Sequence, residues 1–383
     1  MTYISARYAL CVAVASGLLA GTQPVDAQVQ PVRPLPAPTV NAGQSGTTGG
    51  QTDPQFGGSG APGQPTPGPT TSASFDPATA IVPPSRLPIV DRYVKESAAI
   101  SPEALRDELT TISITPEGRV ETVPATGGEV EILLRGLRTL EIAPQRPGQE
   151  SVPNLGSEEP SADGGIKAES VIGQDTRTQI TATTSYPFRV IGRIAVGCTG
   201  TLIGPRHVLT AGHCVYNISN DKWYSNLDFS PGQNGNSLPY GTITWKRALA
   251  VTGWTKSHLR DHDYAMIVLN QDIGNSNGWL GYAWQNPLPA YNVNIDGYPG
   301  DKPSGTMWHS FCQLQIIQTF RLYYACDTFG GESGSAVYVF KTADQSRSIY
   351  GIHAYGVDST GLNGATRITE TVFNKVKGWK QSN

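Results

Sequence analysis

The chain has 383 residues, and its 28 basic and 31 acidic side chains leave a formal net charge of −3 at pH 7. This balance, without any long basic run, excludes a general binder of polyanions, so we expect no nucleic-acid partner. The seven tryptophans all lie from Trp223 onward, so the main core is expected in the second half of the chain.

The first 27 residues have the pattern of a secretory signal peptide. Arg7 supplies a positive start, an apolar run extends from Tyr8 to Ala20, and the small-residue segment VDA ends at Ala27. The apolar run is too short to span a bilayer well. We therefore expect a secreted protein, extracellular or periplasmic, with no membrane partner.

Residues 28–88 form a low-complexity tract rich in Gly, Pro, Ser and Thr. Such a composition cannot bury enough apolar area to offset the entropy of the chain. The tract is predicted to be a disordered linker without an activity of its own.

Residues 89–169 contain two stretches whose pattern differs from that of the low-complexity tract and predicts regular structure. SPEALRDEL predicts a short helix that opens at Ser101, with Pro102 at its first position. EVEILLRGLRTLEI mixes apolar and charged residues and predicts a partly buried pair of strands. The region is too small for an independent enzyme domain, and the polar stretch NLGSEEPSADGG separates it from the C-terminal part of the chain.

From about residue 170 onward, short β-rich runs alternate with Gly, Pro and Asn turn signals. The runs include YPFRVIGRIAVGC, TLIGPRHVLTA, YAMIVLN, GSAVYVF and SIYGIHAYG. Many short strands between turns predict an all-β barrel or sandwich. In the tail, Val372, Phe373, Val376 and Trp379 share one helical face, which predicts a terminal helix docked on the β structure.

Three segments carry residues suited to nucleophilic catalysis. TAGHC places His213 after an apolar strand, DHDYAMIVL places Asp263 at the start of a buried strand, and GGESGS places Ser333 in a glycine-flanked turn. A serine hydroxyl needs a neighbouring base, and imidazole suits that task. The imidazole needs a carboxylate that fixes its tautomer and stabilises the imidazolium. The order His, Asp, Ser is that of chymotrypsin-type enzymes, whereas serine comes first in α/β-hydrolases.

The glycines around Ser333 let backbone N–H groups approach a substrate closely. We predict that the N–H groups of Gly331 and Ser333 form an oxyanion hole, in which one donor is typically worth about 100- to 1000-fold in rate.

At these residues the sequence resembles the chymotrypsin-like superfamily, and within it the bacterial glutamyl endopeptidases. The resemblance covers about residues 170–383 and is carried by SVIGQDTRTQI, CTGTLIGPRHVLTAGHCV, GYPGDKP followed by TMW, DTFGGESGS and GIHAYG. It implies an all-β fold of two six-stranded antiparallel barrels with the triad in the cleft between them. It also implies a serine endopeptidase with protein or peptide substrates, which we expect to be a monomer.

The resemblance favours Asp263 over Asp261 as the catalytic acid, because the aspartate of the superfamily directly precedes a run such as YAMIVL. Asp261 is then expected to be an exposed loop charge. The histidines without a partner pattern are interpreted as structural: His207, His258, His262 and His309.

Four cysteines remain after the predicted signal peptide, and an even set in an exported chain indicates two disulfides. The sequence alone allows three connectivities, and the resemblance implies the pairs Cys198 with Cys214 and Cys312 with Cys326. Zinc is the alternative use of four cysteines, but neither pair has the tight CxxC spacing of a closed zinc site. We expect neither a metal nor a cofactor.

The resemblance places Thr328 and His353 in the pocket that holds the residue before the scissile bond. A hydroxyl and an imidazole there would donate hydrogen bonds to a substrate carboxylate. Asp327, six positions before Ser333, favours a different specificity, because trypsin-like enzymes use an acid at that spacing to select Arg or Lys. A buried aspartate would also repel a Glu side chain. We prefer cleavage after Glu, or Asp, and keep cleavage after Arg or Lys as the alternative.

The family-like start SVIG follows Glu169 directly, so a cut after Glu169 would make Ser170 a new N-terminus. Residues 89–169 would then be a propeptide that assists and masks the protease domain (170–383), which suits a slowly folding barrel. In the family the new α-ammonium looks like part of the pocket, but Glu332 offers it another partner. A catalytically idle homologue that acts as a binding protein is the alternative to an active zymogen.

Overall fold

The computed structural model describes residues 101–141 and 170–383, apart from Ser359. The predicted signal peptide (1–27), the predicted linker (28–88) and Glu169 lie outside the described residues. The helices are α1 (Pro102–Glu108), α2 (Gly127–Glu141), α3 (Thr252–Thr255), α4 (Gly274–Asn277) and α5 (Glu370–Ser382). Short 3-10 turns cover Phe188–Val190, Gly212–Cys214 and Arg260–His262.

Residues 101–141 form a small unit of two helices and a hairpin, in the order α1, β1 (Thr111–Ile114), β2 (Val120–Val123) and α2. The predicted start of α1 is confirmed. The Ser101 hydroxyl accepts a hydrogen bond from the Ala104 N–H at 3.2 Å, and Pro102 occupies the first helical position.

The predicted pair of strands in EVEILLRGLRTLEI is wrong, because residues 129–141 belong to α2. Val130, Leu133 and Leu137 are spaced by three and four residues, which puts them on one buried face of a helix. The N–H of Thr126 donates to the Glu129 carboxylate at 2.8 Å, and the N–H of Glu129 donates to the Thr126 hydroxyl at 3.3 Å. This capping box starts the helix, and its signature is present in the sequence.

The first barrel follows, with hydrophobic side chains filling its interior. Its six strands are β4 (Ile191–Ile194), β5 (Thr199–Leu202), β6 (His207–Thr210), β9 (Phe229–Pro231), β10 (Trp245–Val251) and β11 (Ala265–Leu269). They are ordered β10-β11-β6-β5-β4-β9, and an antiparallel bridge between Phe229 and Ile243 closes the ring. The strands β7 (Tyr216–Asn217) and β8 (Lys222–Trp223) form a separate ribbon.

The second barrel is closed by strand pairing alone. Its strands are β13 (Asn292–Gly297), β14 (Met307–Ile317), β15 (Arg321–Tyr324), β16 (Ala336–Lys341), β17 (Ser346–Tyr355) and β18 (Asn363–Arg367). The ring runs β13-β14-β15-β18-β17-β16 and returns to β13. Two short strands join its outside, β3 (Thr178–Ile180) beside β14 and β12 (Gly281–Tyr282) beside β17. The prediction of two six-stranded antiparallel barrels is confirmed.

The first barrel's sheet is extended by the small N-terminal unit. The strand β1 pairs antiparallel with β10, and β2 pairs with β1, so that the sheet has eight strands. The sequence pattern does not predict this extension, because pairing between strands more than 100 residues apart leaves no local signature.

The predicted terminal helix is confirmed as α5, and Val372, Phe373, Val376 and Trp379 are all buried on its inner face. Among the described residues, the helices are all too short or too polar to cross a lipid bilayer.

Candidate active site

Two of the predicted catalytic residues meet where neighbouring strands of the first barrel end. The strands β6 and β11 pair antiparallel, with Thr210 opposite Ala265, so the turn after β6 lies beside the turn before β11. The first turn carries His213 and the second carries Asp263. Their proximity therefore follows from the register of two buried strands.

Asp263 is fully buried and holds His213 at two points. One carboxylate oxygen lies 2.8 Å from Nδ1 of His213, and the other accepts the backbone N–H of His213, also at 2.8 Å. A Cβ on Gly212 would lie 3.0 Å from Asp263 Oδ1 and from the Trp254 ring, so a larger residue here would press on both side chains. The imidazole is thus fixed in position and orientation, and Nε2 accepts no hydrogen bond from any described residue.

Asp261, the competing aspartate, has a different role. The expectation of an exposed loop charge is wrong, because Asp261 is buried and its carboxylate accepts a hydrogen bond from Arg321 Nε at 2.8 Å. The guanidinium compensates the buried charge. Two other histidines that seemed to lack partners also face carboxylates, His309 with Asp296 and His262 with Glu108.

The Ser333 turn comes from the second barrel and is held against β5 of the first. The N–H of Thr199 donates to the Ser333 carbonyl at 2.8 Å, and the Thr199 hydroxyl donates to the Gly331 carbonyl at 2.9 Å. The sulfur of Cys214, the neighbour of His213, lies 3.5 Å from the Ser333 carbonyl oxygen. The Ser333 turn therefore lies beside the turn that carries His213, at the junction of the barrels.

The backbone of this turn depends on Gly331, whose φ is +105°. A Cβ there would lie 2.5 Å from the Tyr298 carbonyl oxygen, so no other residue fits without a shift of the backbone. The N–H groups of Gly331 and Ser333 donate to no backbone or side-chain acceptor within the described part of the chain. They remain available to a substrate oxygen.

The two disulfides join the predicted pairs, Cys198 with Cys214 and Cys312 with Cys326. The first ties the start of β5, which holds the Ser333 turn, to the turn that carries His213. Cys198, His213 and Cys214 also form a compact group of metal-ligand types. Both sulfurs are consumed by the disulfide and Nδ1 of His213 is engaged by Asp263, so this group does not fit a metal ion.

The predicted pocket residues Thr328 and His353 both adjoin the Ser333 turn. The N–H of His353 donates to the Ser335 carbonyl at 2.9 Å, and the N–H of Gly334 donates to the His353 carbonyl at 2.7 Å. The Thr328 hydroxyl is buried and has no hydrogen-bond partner among the residues described. Such a group is a candidate for binding a polar ligand.

The imidazole of His353 is oriented by Tyr324, whose hydroxyl lies 2.7 Å from Nδ1. Burial lowers the pKa of His353 to about 3, and the nearby His213 acts in the same direction. His353 is therefore neutral at neutral pH. If the Tyr324 hydroxyl donates to Nδ1, the remaining proton of His353 is on Nε2, where it can be donated to a ligand.

Asp327 is buried, and the backbone near Ile172 and Thr176 occupies its carboxylate. One oxygen accepts the N–H of Ile172 at 2.8 Å, and the other accepts the N–H and the hydroxyl of Thr176, at 2.8 and 2.6 Å. The preceding Ser170 is also buried, and its carbonyl accepts hydrogen bonds from the Thr328 N–H and from Asn363 Nδ2. The backbone of Ser170 thus lies beside a predicted pocket residue.

Glu332, next to Ser333, is fully buried and lies near the guanidinium of Arg177. Its Oε2 accepts the N–H of Phe329 at 2.8 Å and is 3.6 Å from Arg177 Nη1. Burial raises the pKa of Glu332 to about 8, while Arg177 acts in the opposite direction. Arg177 also pairs with Asp175 and Asp301. The contact between Arg177 and Glu332 connects the segment around Arg177 to the Ser333 turn.

Comparisons with known proteins agree with this geometry. The family model described as Trypsin matches residues 175–380. The chain belongs to the trypsin family. It is 41% identical to a glutamyl endopeptidase of Bacillus licheniformis over 222 residues, which cover 56% of this chain and 70% of the relative. It is 38% identical to a Bacillus subtilis protein named extracellular metalloprotease, over 56% of this chain and 71% of that one.

A solved structure described as Glu endopeptidase in complex with MPD is similar as well, with 31% identity and a TM-score of 0.52. The match covers 55% of this chain and 99% of that one. Together these findings show that the protein is a serine endopeptidase with the chymotrypsin-like fold.

Sequence reasoning missed three residues of this site. Arg177 lies within the motif SVIGQDTRTQI, but a lone arginine gives no indication of its distant carboxylate partners. Tyr324 orients His353 from another strand, and Trp254 packs its ring 6.3 Å from that of His213. All three depend on contacts between segments that are far apart in sequence.

The depressed pKa of His353 predicts a pH-dependent stability. The ordinary pKa of histidine is 6.5, and that of His353 in the folded chain is about 3. At a pH between these two values, His353 is protonated in the unfolded chain but not in the folded chain. The free energy of unfolding should therefore fall as pH is lowered through this window, and the contribution between pH 7 and pH 4 is about 3 kcal/mol. Urea unfolding of Ser333→Ala protein, which cannot digest itself, measures the loss.

When His353→Gln is added to the Ser333→Ala protein, the loss in the free energy of unfolding between pH 7 and pH 4 should be smaller by about 3 kcal/mol. His258→Gln is the matched control, because the side chain of His258 is exposed. An equal drop in stability with and without His353 would contradict the assignment.

Proposed function

We propose that the chain is a secreted zymogen whose mature enzyme cleaves peptide bonds after Glu or Asp, with Ser333 as nucleophile, His213 as base and Asp263 as its orienting acid. The observation that carries this proposal is the buried Asp263 carboxylate 2.8 Å from Nδ1 of His213. With Nδ1–H donating to Asp263, the lone pair of the imidazole is on Nε2. This is the atom that accepts the Ser333 proton as the hydroxyl oxygen attacks the scissile carbonyl.

The attack converts the carbonyl oxygen into an oxyanion, which the N–H groups of Gly331 and Ser333 would stabilise. Collapse of the tetrahedral intermediate breaks the C–N bond, and the leaving amine takes the proton from Nε2 of His213. A water molecule then gives a proton to the same nitrogen while its oxygen attacks the acyl carbon. When the ester bond to Ser333 breaks, Nε2 of His213 returns the proton to the Ser333 oxygen and the acid leaves.

The preference for an acidic side chain rests on Thr328 and His353. The unpartnered hydroxyl of Thr328 is one donor suited to a carboxylate, and Nε2–H of His353 is a second when the Tyr324 hydroxyl donates to Nδ1. The Ser170 backbone adjoins Thr328, so a new α-ammonium at Ser170 would add positive charge close by. Glu332 has Arg177 as its partner, which leaves that amine free to serve the pocket.

Asp327 is assigned to anchoring rather than to substrate binding. Three hydrogen bonds from Ile172 and Thr176 occupy both of its oxygens, so its charge is satisfied within the protein. This argues against trypsin-like selection of Arg or Lys, which requires a carboxylate that is open to the substrate.

Digestion of a peptide library with the mature enzyme tests the specificity. We expect cleavage after Glu, and a loss of about 10- to 100-fold in kcat/KM on Glu substrates for Thr328→Val, because a carboxylate oxygen loses its donor. Thr328→Ser keeps the hydroxyl and is the matched control. Asp327→Asn should keep the preference for Glu. Cleavage after Arg or Lys, abolished in Asp327→Asn, would overturn the assignment.

Maturation is assigned to a cut after Glu169 made by the enzyme itself. The purified Ser333→Ala precursor should stay whole and should be cut to begin at Ser170 when wild-type enzyme is added. Glu169→Gln should block this cut, whereas Glu158→Gln, in the polar stretch that precedes Glu169, should not. Mass spectrometry reads the new N-terminus, and processing of the isolated Ser333→Ala precursor would refute self-cleavage.

A further inference from the structure

The unit of residues 101–141, part of the proposed propeptide, is docked on the protease domain through a continuous surface. Its strand β1 pairs with the end of β10, in the register Thr111 opposite Val251 through Ile114 opposite Ala248. β11 pairs with the other side of β10. The unit therefore covers a strand edge of the catalytic barrel, which is a surface that proteins rarely leave exposed.

An apolar cluster joins the unit to both barrels. Four of its members lie on the two helices of the unit, Leu105, Val130, Leu133 and Leu137, and Leu109 directly follows α1. The cluster also contains Leu259, which leads into the turn before Asp263, and Phe320, which lies between β14 and β15 of the second barrel. The unit thus buries protease side chains as a domain core does.

Polar contacts attach the unit of residues 101–141 to α5. The buried ammonium of Lys375 forms an ion pair with Glu129, and Trp379 Nε1 donates to the Thr111 hydroxyl at 2.9 Å. At the surface, Arg135 Nη2 lies 2.8 Å from both carboxylate oxygens of Glu370. These contacts give the docking a fixed orientation.

The unit also touches the segments that hold the catalytic pair. The N–H of Thr252, in α3, donates to the Thr110 carbonyl at 2.9 Å, and α3 carries Trp254 beside His213. Glu108 lies 3.4 Å from Nε2 of His262, the residue before Asp263. In contrast, the hydrogen-bond partners described for Thr328 and His353 lie within residues 170–383 and include Ser170, Tyr324, Gly334 and Ser335.

We propose that residues 101–141 remain bound after the chain is cut at Glu169, as a noncovalent second chain that braces the Asp263 turn, and do not leave as a masking propeptide. This inference rests on the proposed maturation, but the docking surface can be tested without it.

The test uses the full Ser333→Ala chain with a recognition site for an unrelated, sequence-specific protease in place of residues 160–167. After the external cut, native size-exclusion chromatography should return both fragments together in equal amounts. Separation of the N-terminal fragment at micromolar concentration would overturn the proposal. Because the cut is external, failure of self-cleavage at Glu169 leaves this result unaffected.

Two sets of variants identify the surface. Leu133→Asp, in the apolar cluster, should release the N-terminal fragment, whereas Val123→Asp, whose side chain is 62% exposed, should retain it.

Arg135→Glu should raise the dissociation constant of the N-terminal fragment roughly fivefold, and Glu370→Arg in the same chain should restore it. The charge exchange lies at the surface and therefore tests docking even if Leu133→Asp fails to fold. No change with Arg135→Glu would contradict the docking described.

Activity separates bracing from masking. In catalytically active protein cut in the same way, release of the fragment through Leu133→Asp should lower the thermal midpoint and kcat together. Addition of the wild-type fragment to the enzyme that has lost its Leu133→Asp fragment should restore the thermal midpoint and kcat and should not inhibit it. Activity that rises on release, or inhibition by the added fragment, would overturn the proposal.

Discussion

The active site depends on one buried interaction, the contact of the Asp263 carboxylate with Nδ1 of His213 at 2.8 Å. A fully buried carboxylate is costly unless it is compensated, and here the two His213 donors compensate it within the pairing of β6 with β11. The Asp263 carbonyl also accepts the Thr366 hydroxyl from the second barrel at 3.0 Å. The same residue therefore orients His213, the proposed base, and links the barrels.

The segment of residues 170–177 organises the other half of the site. Asp327 binds the backbone near Ile172, and Arg177 reaches the buried Glu332 beside Ser333. Buried polar contacts of this kind hold segments in a unique position rather than adding much net stability. In the proposed mature enzyme, these contacts place Ser170 at the pocket and shape the Ser333 turn. Specificity would therefore depend on where the domain begins as well as on Thr328 and His353.

The sequence was sufficient to predict the features that have local signatures. The two barrels, the disulfide pairs and α5 were predicted correctly, because turn signals, family motifs and helical spacing are local. The strand pair assigned to EVEILLRGLRTLEI was wrong because charged residues between the leucines hid the helical period, although the Thr126 and Glu129 capping box was readable. Pairing of β1 with β10 and of Arg177 with Glu332 depends on contacts across more than 100 residues, which a single sequence does not encode locally.

The most direct test of this account compares the two neighbouring aspartates. In folded, processed enzyme, Asp263→Asn should lower kcat by about 10,000-fold, because an amide does not fix the productive tautomer of His213. Asp261→Asn weakens the contact with Arg321 and should lower the thermal midpoint while leaving kcat near that of the wild type. If Asp263→Asn retained its kcat, or if Asp261→Asn lost as much, the assignment of Asp263 as the residue that orients His213 would be contradicted.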